Sequence, residues 1–344
     1  MKRIVFASIR EGAGKTSLMV GLMSRTGKKF GYIKPFGDRL IYKRKKNWDY
    51  DSNLIIDIFG LNEEPENISL GFDHSKLRYV YDEKNIQGTL REMAENASAG
   101  KDILFIEGGR DLSYGASLNL DSLSVAGYID AELVVVVSGG SDTVVDDLMF
   151  INRYVNTGNV KFSGVIINKV RDVDEFDDVY ARQIREIGVR ILGVVPFKEQ
   201  LTHFTISYLA DKLYAKVIAG DKGMTNIVKN IFVGAMSTDE SLRNPLFNKE
   251  NKFLITSGDR NDMILAALES DTAGVLLTNN ILPPSNIIAK AAEKNIPLIL
   301  VTMDTYQVTK QIDRMESLLT KENEDRIKLL SQMTEKYVTI EGAV

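Results

Sequence analysis

The 344-residue sequence contains no cysteine, which excludes disulfides, thiolate nucleophiles and cysteine-ligated zinc. Histidine is nearly absent too. Only His74 and His203 occur, so a histidine metal cluster or a Ser-His-Asp triad has almost no raw material. Any divalent metal must be held by oxygen, which suits Mg²⁺ beside phosphate. No apolar run is long enough to cross a bilayer, and Arg10 and Glu11 cut short the apolar start before it could act as a signal peptide. The expected compartment is the cytoplasm, with no membrane partner. An excess of one charge is also missing: the formal net charge is −4, so no global field marks a nucleic-acid binder. Low-complexity segments and fixed-period repeats are absent. The length allows two domains with cores of their own.

What is present begins at the first apolar run. Residues 2–7 read as a short buried strand, and Ser8-Ile9-Arg10-Glu11-Gly12-Ala13-Gly14-Lys15-Thr16-Ser17 follows it directly. Leu18, Val20 and Leu22 then open a helical pattern. Strand, glycine turn and helix start suit a polyphosphate. Backbone N–H groups point inward, the helix dipole favours an anion, a lysine reaches the outer phosphates and a hydroxyl can ligate Mg²⁺. The strict P-loop pattern has a glycine where Ile9 stands, so a helix-capping turn is the other reading. The position immediately after the first strand favours nucleotide.

Short β-branched runs at 3–7, 29–34, 103–107, 133–138, 164–168 and 191–195 alternate with amphipathic segments, the pattern of a parallel sheet covered by helices. Val134 to Val137 is apolar on both faces, as in a central strand. Glu107 ends the third run before Gly108-Gly109, where a carboxylate can hold the Mg²⁺ that bridges phosphates or simply sit in solvent. Lys34 ends the second. It either neutralises charge on a transferring phosphoryl group or lies on the surface. A neighbouring P-loop strand would bring both lysines into one pocket. Asn168 ends a later run with an amide suited to a base edge, and Pro196-Phe197 close the series. Lys43-Arg44-Lys45-Lys46 is a solvated loop or a loop over an anionic substrate.

These segments resemble the dethiobiotin synthetase branch of the P-loop family across roughly the first 200 residues. The resemblance rests on Gly14-Lys15-Thr16, Lys34-Pro35, Glu107-Gly108, Asn168 and the 193–196 run. It implies a MgATP site with Gly12, Ala13, Gly14, Lys15, Thr16 and Ser17 as the phosphate loop, and with Asn168, Pro196 and Phe197 near the nucleotide. Lys15, Lys34 and Glu107 are the implied catalytic groups, and Thr16, Glu107 and an aspartate after the second strand the Mg²⁺ ligands. Asp51 is the choice for that aspartate, with Asp49 close behind. Arg10 stands where the family has an acidic residue. Related dimeric ATPases carry there a lysine that reaches a partner's nucleotide, so Arg10 joins the cofactor-binding set and a homodimer is expected.

Near Thr205 the texture changes, with a short helix at 206–213 and a second αβ series after it. Residues 231–306 resemble the DRTGG domain through Gly234-Ala235-Met236-Ser237, Asp259-Arg260, Leu277-Thr278 and Asp304-Thr305-Tyr306. Asn279-Asn280 replace the glycine pair, and asparagine tolerates the left-handed backbone such a turn needs. The implied effector residues are Asp259, Arg260, Thr278, Asn279 and Asp304. Arg260 either binds an anion at a helix start or fixes its own loop. From Gln307 onward the sequence reads as helical, with an apolar stripe for docking on its own domain or for a coiled coil.

The expected fold class is therefore α/β: a P-loop parallel sheet flanked by helices over 1–205, a smaller α/β DRTGG domain over 206–310, and a charged helical tail over 311–344. The order resembles the N-terminal, non-catalytic part of long phosphotransacetylases and looks like a stand-alone version, so no acetyl transfer is expected from this chain alone. The expected function is a MgATP-binding sensing or regulatory protein with slow hydrolysis and an effector-binding or dimerising second domain. The alternative is a ligase that uses ATP to activate a small carboxylate or carbamate. Neither reading involves nucleic acid.

Overall fold

The computed structural model describes residues 1–43, 45–139, 141–155 and 160–342. Arg44 of the basic run lies outside them. Two compact units emerge, Met1–Lys198 together with Leu319–Val344, and Glu199–Leu318.

In the first unit a six-stranded sheet contains β1 (Lys2–Ser8), β2 (Phe30–Ile33), β3 (Ile103–Glu107), β4 (Glu132–Ser138), β5 (Lys161–Val170) and β6 (Ile191–Pro196). The spatial order is β2-β3-β1-β4-β5-β6, and every adjacent pair is parallel. The runs read from sequence are these strands. Their apolar character on both faces follows from helices covering both sides of a parallel sheet. Leu133, Val135 and Val137 alternate onto one layer with Val5, Ile106 and Ile167, packed against Leu90, Val125, Leu148 and Phe176 of the surrounding helices. The adjacency expected between the strand of Lys34 and the P-loop strand is not present in the sheet. β2 does not neighbour the P-loop strand, because β3 lies between them. The crossover from β1 through α1 (Lys15–Arg25) skips one strand position.

Lys43 and Lys46 of the basic run lie on strands rather than in a loop. Leu40–Lys43 and Lys46–Asp49 pair as an antiparallel hairpin leading into α2 (Tyr50–Phe59). Lys43 pairs with Asp57, and Lys46 reaches Glu64 at 2.8 Å and Glu66 at 3.1 Å. These lysines are thus engaged with the chain's own acids.

The tail does not form a third unit. After α6 (Thr305–Asp313) the helix breaks, and α7 (Glu324–Tyr337) returns to the first unit. Leu330, Met333 and Thr334 of α7 are buried, which resolves the apolar stripe as a docked helix. Contact with α1 is backbone-close: a Cβ on Gly21 would sit 2.5 Å from the Leu330 carbonyl oxygen. Beyond the helix, Thr339 N donates to Leu192 O at 2.8 Å and Arg25 Nη2 to Val338 O at 3.0 Å. Gly21→Val should therefore push α7 off α1 and cost about 1–3 kcal/mol of stability as an overpacking defect. Thermal unfolding checks this, and an unchanged midpoint would contradict the close approach.

The second unit holds β7 (Lys216–Ala219), β8 (Asn230–Val233), β9 (Lys252–Ser257), β10 (Thr272–Thr278) and β11 (Leu298–Leu300) in the order β7-β11-β10-β9-β8. Only the edge strand β7 runs antiparallel among these pairs. α5 (Asn261–Leu268) follows β9 and packs Met263, Ile264 and Ala267 into the core of one face.

Candidate functional site

The glycine turn leaves β1 and enters α1 through two left-handed residues, Gly12 (φ 71°) and Gly14 (φ 92°). A Cβ at Gly14 would also crowd Asn168, meeting its Nδ2 at 2.5 Å and forcing that side chain to shift. Gly14, at the N-cap of α1, has no side chain to cap the helix, which suits first-turn N–H groups to an anion. Lys15 Nζ donates to Ser8 Oγ at 2.8 Å and to Arg110 O at 3.2 Å. Burial lowers the Lys15 ammonium below the ordinary lysine value. Thr16 Oγ1 donates to Glu107 Oε1 at 2.6 Å, and Tyr32 OH donates to Glu107 Oε2 at 2.9 Å. β3 brings this carboxylate to the P-loop because Glu107 pairs with Phe6 in register. Burial pushes the Glu107 carboxyl up to about 7, and the nearby Asp51 charge adds to the effect.

Lys34 is not a surface lysine. It is almost fully buried, with Nζ 2.6 Å from Asp38, 2.7 Å from Asp51 and 3.1 Å from Asp49. Burial alone would lower it, but the carboxylates of Asp51, Asp49, Glu107 and Asp38 outweigh burial and hold it well above the ordinary value. Burial likewise opposes ionisation of Asp51, yet Lys34 outweighs it and keeps that carboxyl below its usual range. The two candidate aspartates differ in their commitments. Asp49 caps α2 by accepting from Asp51 N and Ser52 N, and its other oxygen accepts from Asp38 N and Arg39 N. Asp51 has Lys34 at 2.7 Å and Arg39 at 3.9 Å. Sequence reasoning missed Asp38, Tyr32 and the capping role of Asp49. The Asp-x-x-x start of α2 was the available signal for the last.

Asn168 lies beneath the loop, where Nδ2 donates to Ala13 O at 2.8 Å. That donor fixes the P-loop rather than facing a base. Lys169, which the sequence did not single out, donates to Gly12 O at 2.6 Å. Pro196 and Phe197 end β6 beside Val170, with Phe197 N donating to Val170 O at 2.6 Å, so they share the carboxyl edge of the sheet. Ser17 is in the first turn of α1. Arg10 forms a bidentate pair with Asp147 of the helix Ser141–Tyr154, at 3.0 and 2.9 Å, within its own chain.

In the second unit, Arg260 donates to the carbonyls of Gly234 at 3.2 Å and Met236 at 2.8 Å, so its guanidinium ties the loop after β8. Thr278 is buried and lies 3.2 Å from Thr305 Oγ1. Asn279 (φ 60°) and Asn280 (φ 56°) both adopt the left-handed backbone expected in place of glycine. Asp304 caps α6 in a capping box with Gln307, and Asp259 is exposed. These residues gather at the carboxyl ends of β8, β9, β10 and β11, largely engaged with their own loops.

The AAA domain family matches residues 2–205, well over half of the chain. The chain belongs to the AAA domain family. A DRTGG domain follows the AAA domain, matched over residues 208–315. The phosphate acetyltransferase of Pseudomonas aeruginosa is 26% identical over 364 aligned residues, which cover 96% of this chain and 50% of that protein. The cobyrinate a,c-diamide synthase of Methanocaldococcus jannaschii is 27% identical over 214 residues, covering 58% of this chain and 41% of that one. The chain spans about half the length of the phosphate acetyltransferases it matches. Among solved structures, the CBS and DRTGG domains of a Clostridium perfringens pyrophosphatase, complexed with the activator diadenosine tetraphosphate, align at 15% identity. That alignment has a TM-score of 0.28 and covers 45% of this chain and 74% of that one. The order of AAA domain and DRTGG domain is the one the sequence motifs implied. No helix among the described residues is long and apolar enough to cross a membrane.

Proposed function

We propose that the AAA domain binds MgATP and that the chain is a nucleotide-dependent regulatory protein with slow hydrolysis, its DRTGG domain binding an effector or joining two copies. The observation that carries this reading is the convergence of Lys15, Thr16, Glu107 and Lys34 around an uncapped glycine turn on one edge of a parallel sheet. The donor set fits the ligand: left-handed glycines and first-turn helix N–H groups for phosphate, and a hydroxyl with buried carboxylates for a hard cation. MgATP, when bound, supplies a phosphoryl group whose charge the site must neutralise. Lys15 would contact the outer phosphates, Thr16, Glu107 and Asp51 would hold Mg²⁺, and Lys34 would offset charge on the phosphoryl group. Asp51 is preferred over Asp49 because four backbone N–H groups already occupy Asp49. Arg10 is paired with Asp147 of its own chain.

Glu107→Gln should raise the Mg²⁺ concentration needed for nucleotide turnover while metal-free nucleotide binding stays nearly unchanged; equal metal dependence would remove Glu107 from the ligand set. A pH signature accompanies it. Glu107 is raised from 4.5 to about 7, so the metal-free native chain keeps a proton that the unfolded chain has lost. Stability from this group is complete at pH values below 4.5 and falls as pH rises towards about 7. The glutamine variant should lack that fall.

One observation favours the ligase reading. A cleft of about 470 Å³, lined by Asp38, Leu40, Phe72, Lys76 and Leu77, adjoins the Asp38 that holds Lys34. It has the volume for a small acid, with Lys76 as the cation and Asp38 and Asp73 as the acids of its lining. ADP release that rises on adding such acids would support the ligase over the sensor.

A further inference from the structure

We propose that Arg110 contacts the terminal phosphate of the nucleotide, giving the site a cation that neither P-loop nor Lys34 supplies and making it discriminate triphosphate from diphosphate. The inference rests on the nucleotide reading above. Arg110 follows Glu107-Gly108-Gly109 and comes to lie over the start of the P-loop. Its carbonyl accepts from Lys15 Nζ at 3.2 Å and from Ser8 Oγ at 3.3 Å, so the residue is docked against the P-loop lysine itself. Its guanidinium has Glu11 of the loop at 3.6 Å and the Tyr114 ring at 5.3 Å.

The segment holding Arg110 is built rather than loose. Asp111 Oδ1 accepts from Ser113 N at 2.8 Å and Tyr114 N at 3.1 Å, closing a tight turn. A Cβ on Gly109 would meet the Tyr114 ring at 2.3 Å, so only glycine permits the ring to fold back there. Tyr114 stacks on Phe36 at a centroid distance of 4.8 Å, and its hydroxyl donates to Gly37 O at 3.3 Å. Residues 110–114 thus span from the P-loop to the loop that carries Lys34, across the edge where the outer phosphates would lie. The Glu11 pair is half-exposed and long, hence weak, and a phosphate of higher charge density would displace it readily. A planar guanidinium suits such an oxygen cluster.

Calorimetry of the full chain with a non-hydrolysable ATP analogue and with ADP tests this without relying on turnover. Arg110→Ala should weaken the analogue about tenfold or more and leave ADP nearly unchanged, since only the triphosphate offers the contact. Arg110→Lys should restore part of the difference, and the melting temperature should hold. An equal loss for both ligands, or no loss, would overturn the proposal by reducing Arg110 to a loop residue. Wild-type chain that binds neither ligand would remove the nucleotide reading and this inference with it. Wild-type binding with an unaltered ratio in Arg110→Ala removes this inference alone.

Discussion

Lys34→Met should lower the unfolding free energy by about 3–5 kcal/mol, the cost of leaving buried charge without its partner. The ammonium is enclosed by Asp38, Asp49 and Asp51, all within 3.1 Å. Methionine fills similar volume but leaves three carboxylates facing one another in a dry site. The pH window has a definite sign. Lys34 is held above its ordinary 10.5, so its contribution is full below that value and is lost only as pH rises beyond it. Asp51 is held below its ordinary 3.8, so its share is present above that value and lost as pH falls further. The penalty should therefore be largest between those limits and shrink in acid. Chemical denaturation of Lys34→Met at neutral pH measures it, and adding Asp38→Asn should recover part of the loss. A loss under about 1 kcal/mol would show the carboxylates relaxing into solvent. Where the variant remains folded, turnover should fall about 10²-fold with little change in ATP affinity if Lys34 acts on developing charge.

The strands of the parallel sheet were legible because runs such as 103–107 and 133–138 are apolar on both faces and bounded by turn residues. The P-loop was legible for a local reason as well: strand, glycines, lysine and hydroxyl are contiguous, so tertiary structure adds little to their meaning. The cage around Lys34 was not. Asp38 and Asp49 come together only because the hairpin 40–49 folds back on itself, and an aspartate in a polar run resembles any solvated acid. The strand order was hidden for a similar cause. Nothing in β1, α1 or β2 shows that the crossover leaves a gap which β3, some seventy residues later, fills. Asn168 looked like a base-reading amide because its partner, the Ala13 carbonyl, is 155 residues away. The docking of α7 was half legible: its stripe announced a buried face, but Gly21 as the receiving surface appears only when both helices are in place.

Lys15 is the residue on which nucleotide binding depends most directly. Its ammonium donates to Ser8 Oγ and to the Arg110 carbonyl, and burial makes it costly to keep charged without an anion. Those contacts are few and lie at the mouth of the loop rather than in the sheet core, so Lys15→Ala should remain folded. A charge-assisted contact to phosphate contributes about 1.5–3 kcal/mol, which corresponds to roughly tenfold or more in affinity. Titration calorimetry of MgATP into wild type and Lys15→Ala, with melting curves to confirm equal folding, is the direct measurement. Wild type should bind MgATP, and the variant should bind it about tenfold or more weakly. Equal MgATP affinity in the two proteins, or none in either, would contradict it.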